Sequence, residues 1–253
     1  MAYNSLTEAP RNLKEAIDWL MALKGTDAEN NMKAFGDAVY KFLADKPVGK
    51  MEVPALEKVK VITKQFLEHR NIKGQWFTKR FLKMYGAPMV KEPEKLAKVL
   101  EYVRESDHKN VVQTHKAKPE TIAKKLGKVV AGCDVFLEHI KNPDSYNSAY
   151  SSEATWDASC TEDPEACAVV FVGIAPMLYT GLYYLQHACI RAKLGGPGSF
   201  DEKRYESALE AAGYDAAERH DNISASDLLW SLDYANKQAL ATIYDLSGFW
   251  AFY

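Results

Sequence analysis

Cysteine is the residue type with the most chemistry to offer in this chain. There are four, Cys133, Cys160, Cys167 and Cys189. In an oxidising compartment they could close two disulfides in any of three connectivities; in a reducing one they would serve as small buried hydrophobes. Six residues, Pro164 among them, separate Cys160 from Cys167. A turn there brings their Cα atoms within the reach of a disulfide, about 4.4–6.8 Å. Cys167 and Cys189 cannot pair along one unbroken helix, because their separation at about 1.5 Å per residue is roughly 33 Å. The expectation is a Cys160–Cys167 bridge, with Cys133–Cys189 as a second pair only if the chain folds back at Pro176. The alternative is four reduced, buried thiols.

Nothing else in the sequence reads as a reaction centre. His69, His108, His115, His139, His187 and His220 show no i, i+3 or i+4 pairing. His187 stands in strongly apolar sequence and reads as a satisfied core histidine rather than a base. With Cys189 it offers too few ligands for zinc. The chain has no G-x-G-x-x-G, Walker loop, H-E-x-x-H, G-x-S-x-G or EF-hand pattern. Gly195, Gly196 and Gly198 surround Pro197, which suits a turn better than a phosphate cradle. No catalytic residue, metal ligand or cofactor is assigned, and the sequence does not identify binding residues. Asn222-Ile223-Ser224 matches a glycosylation acceptor and equally well a helix cap.

The elements that would position any site are helical. Leu13, Ala16, Ile17, Leu20 and Leu23 make one apolar stripe, opened by Asn12 with Glu15 and stopped by Gly25. Further stripes run through Met32–Phe42, Leu56–Phe66 behind Pro54, Trp76–Tyr85, Leu96–Val103 behind Pro93, and Ile122–Ile140 behind Pro119. Asn142 to Asp163 reads as a long polar connection rich in Ser and Tyr. Ala166–Ile190 contains no Asp, Glu, Lys or Arg. Its length would span a bilayer, but Tyr and Gln crowd its second half rather than its ends, so it reads as a central buried helix kinked or broken near Pro176. A short helix near 201–212 and a last one near 226–246 follow. The aromatic run Phe249-Trp250-Ala251-Phe252-Tyr253 is expected to dock into the core. The fold class is all-α: a multi-helix bundle with short Pro/Gly connections and one long loop.

The chain has 253 residues, 47% hydrophobic and 26% charged, which excludes disordered and fibrous classes. Its net charge of −2 hides a polarity. Residues 1–130 hold 25 Lys+Arg against 16 Asp+Glu, and residues 131–253 hold 7 against 18. The two halves could complement each other inside one fold, or the basic half could meet an anionic partner. Lys58, Lys60 and Lys64, then Lys79, Arg80 and Lys83, then Lys124, Lys125 and Lys128 are read as solvent-side clusters. One domain over 1–253 is expected, divisible into a basic subregion 1–141 and an acidic subregion 142–253.

Asn12-Leu-Lys-Glu-Ala-Ile-Asp-Trp-Leu20 and Leu43-Ala-Asp-Lys-Pro-Val-Gly49 resemble the opening of the variant erythrocyte surface antigens of piroplasm (Babesia) parasites. The likeness is clearest over the first quarter of the chain. It implies a non-enzymatic antigen at the surface of the infected erythrocyte or secreted by the parasite, acting in host-cell adhesion and antigenic variation. The partner would be a host-cell receptor or an antibody, with an anionic glycan as a further candidate and no nucleic acid. Members of that family are large and anchored by a C-terminal span. This chain is shorter, so it would be a segment of a larger protein or a short relative, meeting a membrane only through an anchor outside it. The competing reading is an intracellular helical module whose basic N-terminal half engages an anionic partner.

Overall fold

The computed structural model describes residues 2–87, 90–100, 103–195, 199–220, 223–234 and 237–253, without the side chains at 99, 100, 233, 234 and 237. Gly196, Pro197, Gly198 and Asn222, singled out above, lie outside the described residues.

Local signals set most of the helix ends. Asn12 accepts from the Glu15 amide to start α1 (Leu13–Lys24), and Gly25 stops it at φ 52°. Asp27 caps α2 (Ala28–Ala44) in the same way. Proline occupies the first turn of α3 (Pro54–Leu67), where no amide donor is missed. Then come α4 (Trp76–Gly86), α5 (Lys95–Leu100), a 3-10 turn at Glu105–Asp107 and α6 (Val111–Thr114). α7 (Pro119–Ile140) again opens on proline. The long connection carries one helical turn, α8 (Trp156–Ser159), before α9 (Pro164–Gly195). α10 (Phe200–Ala212), a 3-10 turn at Ala216–Glu218, α11 (Ala225–Tyr234), α12 (Lys237–Asp245) and α13 (Phe249–Phe252) complete the chain. The protein is an all-α bundle. Among the described residues, β-type pairing is confined to the isolated bridges Tyr3–Tyr150 and Lys141–Arg219.

α9 is the axis. Its most apolar stretch is 83% buried inside the protein, and α1, α2, α3, α4, α10, α11 and α12 all touch it. α7 forms an outer layer, with α1, α2, α11 and α12 reaching both α7 and α9. Trp19, Trp156 and Phe171 each meet Phe35 edge-on, with ring centroids 5.4–6.2 Å away, which ties α1, α8 and α9 to α2. The aromatic C-terminal run docks as expected: Phe252 stacks on Phe42, Phe249 on Phe81, and the Gly49 and Met51 amides donate to the carbonyls of Trp250 and Ala251.

Two expectations are corrected. Of the kink or break expected near Pro176, the break does not occur: the helix runs through the proline. The chain therefore does not fold back, and the conditional Cys133–Cys189 pair does not form: both remain buried thiols. Lys60 is not on a solvent face. It is 5% exposed because it shares the inward face of α3 with Leu56, Val59 and Thr63, and its Nζ donates to Glu57 and to the Phe252 carbonyl. The helix expected near 226–246 is present as α11 and α12 on either side of residues 235–236, which lie outside the described residues.

α3 crosses α9 at Gly173, where an added Cβ would stand 2.5 Å from a Val59 methyl. Gly173→Ala should therefore destabilise the fold by about 1–3 kcal/mol through overpacking. In a chemical-denaturation double-mutant cycle, Val59→Ala should recover part of that loss. Additive effects would show that the close crossing is not what limits residue 173.

Candidate functional site

Loop residues 142–163 leave α7 and must return to α9, and the side chains of α1 determine where they lie. Asp18, only 2% exposed, accepts from the Tyr146 hydroxyl at 2.5 Å and from the Ala149 amide at 2.8 Å. Lys14, one turn earlier on the same face, donates to the Asn147 carbonyl at 2.8 Å, pairs with Glu218 at 3.2 Å and lies over the Tyr146 ring. Tyr3 pairs with the loop through its backbone on both sides of Tyr150, whose hydroxyl donates to the Glu8 carbonyl. At its far end the loop is closed by the Cys160–Cys167 disulfide, with Cα atoms 5.9 Å apart. The local bridge expected from spacing is the one that forms.

The electrostatics of this clasp run against Asp18. Burial raises its pKa, and the hydrogen bonds from Tyr146 and Ala149 together with the charge of Lys14 offset only part of that rise. Burial likewise raises the pKa of the Tyr146 hydroxyl. Cys133 is pushed up to about 12, first by burial and then by Asp134 beside it, so its thiol is inert at neutral pH.

Beside the clasp lies a cleft of about 610 Å³ between the C-terminal end of α1, the start of α2 and the loop crest. Asp27, Asn30, Ser152, Thr155 and Asp157 stand on its exposed rim, and Trp156 lies in its wall. Its lining holds carboxylates and hydroxyls but no lysine or arginine, which suits a neutral polar or cationic group. A second groove of about 750 Å³ runs between α2 and α7 over Met32, Gly127 and Val130. Lys24, Lys33 and Lys124 line it together with Glu29, Glu120 and Asp134, so it has no single sign.

The other flagged residues are scattered. His187 is half-buried at the surface, not in the core; its ring lies 4.5 Å from that of Tyr183, and burial with Arg191 nearby lowers its pKa. His115 pairs with Glu105, and His139 meets the Val135 carbonyl and the Trp230 ring. Lys58, Lys64, Lys79, Lys83, Lys124, Lys125 and Lys128 are exposed, while Arg80 turns inward to Asp107. Among the described residues, no three His, Cys, Asp or Glu side chains are grouped so as to hold a metal. Sequence reasoning missed Lys14 and Asp18 as a pair. Their i, i+4 spacing beside a buried stripe was the available signal; Tyr146, 128 positions from Asp18, was not. No family model matches the chain, and no curated protein or solved structure matches it.

Asp18 binds its proton more tightly in the folded chain than in the unfolded one. Its contribution therefore favours folding below the ordinary carboxylate value of 3.8 and is lost as the pH rises through its raised value. Denaturant midpoints of wild type and Asp18→Asn, compared across the acid range, should show the variant gaining on wild type as pH rises. A flat difference would mean that the clasp donors fully offset the burial of the carboxylate.

Proposed function

We propose that this chain is a non-enzymatic binding protein, a helical scaffold that displays the 142–163 loop and its cleft to a host receptor or an antibody. The observation that carries the reading is that the loop is held at both ends, by Asp18 and by Cys160–Cys167, while Ser152, Glu153, Thr155 and Asp157 on its crest stay exposed. A rigid support beneath exposed, changeable side chains is how loops carry recognition. The disulfide supports an oxidising compartment, in keeping with a surface or secreted protein. With the resemblance of residues 12–20 and 43–49, this gives an exported piroplasm antigen acting in adhesion and immune evasion.

The competing reading, an intracellular module with a basic binding half, draws on Cys133 and Cys189, which remain thiols, and on the exposed lysines of α3, α4 and α7. Two measurements separate the readings. On intact infected erythrocytes, external protease should remove the protein, and peptide maps made without reduction should show residues 160 and 167 joined. Recombinant protein carrying Ser152→Lys, Glu153→Lys and Asp157→Lys should keep its helical circular dichroism and lose binding to host endothelial cells. Full protection from protease with all four cysteines alkylatable after unfolding would overturn the antigen reading in favour of the intracellular one.

A further inference from the structure

At 100° per residue, Tyr183, His187, Ile190 and Leu194 fall within about a 60° arc of α9. Upstream, α9 buries its apolar side chains; here it turns them to solvent. Exposure along the stripe rises from half-buried Tyr183 and His187 to 38% at Ile190 and 82% at Leu194. Arg191 and Lys193, both exposed, flank it at roughly 70–90° to either side. α4 widens the stripe. Trp76, 54% exposed, stands edge-on to Tyr183 with ring centroids 6.3 Å apart, and Phe77 packs beneath Tyr183 at 4.6 Å.

The two segments that build this face carry charge of one sign. Residues 69–91 and 166–200, which contain α4 and all but the first two residues of α9, include no Asp or Glu. Lys73, Lys79, Lys83, Arg191 and Lys193 stand exposed among them. A carboxylate at the margin is Asp201 on α10, which lies against Gly195 and faces Arg204 at 4.0 Å.

We propose that the α4–α9 face docks on an anionic phospholipid bilayer, with Trp76, Ile190 and Leu194 entering the interface and the surrounding lysines and Arg191 meeting lipid phosphates. Tryptophan and tyrosine settle at headgroup level, aliphatic side chains gain by leaving water, and long cationic side chains reach back to phosphate from beside them. A sulfated glycan would use the cations and the indole but leave Ile190 and Leu194 in water, so the aliphatic stripe favours lipid. The contact is peripheral, since the upstream part of α9 is core. It does not depend on the antigen reading, and either can fail alone.

The test is co-sedimentation of the full chain with vesicles of phosphatidylcholine, with and without phosphatidylserine. Binding should require phosphatidylserine and weaken as salt rises. Leu194→Glu and Lys193→Glu alter side chains already in solvent, and each should lower the partition about tenfold. Trp230→Ser, at an equally exposed tryptophan on α11, should leave it unchanged. Trp19, Trp156 and Trp250 are buried, so in the Trp230→Ser protein the exposed indole is that of Trp76, and its emission should shift to the blue on vesicles. Three results would each overturn the proposal: no binding to phosphatidylserine vesicles, unchanged binding by Leu194→Glu, or capture by heparin without vesicle binding. The last would assign the face to a sulfated glycan.

Discussion

The hydrogen bond from the Thr63 hydroxyl to the Gly173 carbonyl, 2.7 Å long and fully buried, joins α3 to α9 one turn before Pro176. Pro176 supplies no amide to the Val172 carbonyl, and its ring crowds the preceding turn. A helix left to itself would bend or break there. Here the Thr63 hydroxyl supplies the neighbouring Gly173 carbonyl, not the Val172 carbonyl that proline leaves without its amide, and the close crossing at Gly173 lets α3 pack against the turn from outside. The consequences reach the whole chain. Because α9 continues, its 32 residues are long enough to serve as the axis for seven other helices, and its two ends stand roughly 48 Å apart. Cys167 and Cys189 are separated in the same way, so Cys167 pairs with the loop and Cys189 stays a thiol.

A second constraint is the cost of burying charge. Asp18 and Asp107 are both almost inaccessible, and burial raises the pKa of each despite several donors. Asp107 accepts from the Arg80 guanidinium, the Arg104 amide and the Tyr244 hydroxyl, and so fixes α4, the 3-10 turn and α12 against one another. Lys60 does the same for α3 and the C-terminal run, against a lowered pKa. None of these groups is a strong source of stability. Each is costly in any arrangement that leaves it unpaired, so together they select one packing of the helices. Ion pairs such as Lys14–Glu218 and Lys24–Asp134 do cross between the basic and acidic halves, yet the lysine faces of α3, α4 and α7 remain in solvent. Internal complementarity therefore accounts for only part of the polarity.

What the sequence made legible was local. The stripe Leu13, Ala16, Ile17, Leu20 and Leu23 is buried throughout, and the prolines before α3 and α7 stand at their first turns. Cys160–Cys167 was readable because its partners stand only seven positions apart, across the turn that leads from the connection into α9. Lys60 was misread because its charge was weighed and its place on the face of Leu56 and Val59 was not; its carbonyl partner is 192 residues away. The clasp at Asp18 and the cleft beside it depend on pairings of similar range, and no periodicity encodes those. Trp76 was read as part of an apolar stripe, but the side of α4 that carries it faces solvent.

The two fastenings of the loop do different work. A disulfide closing so short a segment removes little freedom from the unfolded chain, about 2–3 kcal/mol on the loop-entropy estimate. Its larger effect is positional: it holds the return into α9 where Trp156 can meet Phe35. The Asp18 clasp adds less, because burial works against its carboxylate, but it sets the register of residues 146–149 against α1 and thereby opens the cleft. Between these points the exposed crest side chains of Ser152, Glu153 and Asp157 bear little of the load, while the Ser151 amide pairs with Tyr3 and Ala154 and Trp156 turn inward. Substitution at the exposed positions should therefore cost the fold little, so the surface best placed to contact another molecule is also the one freest to vary.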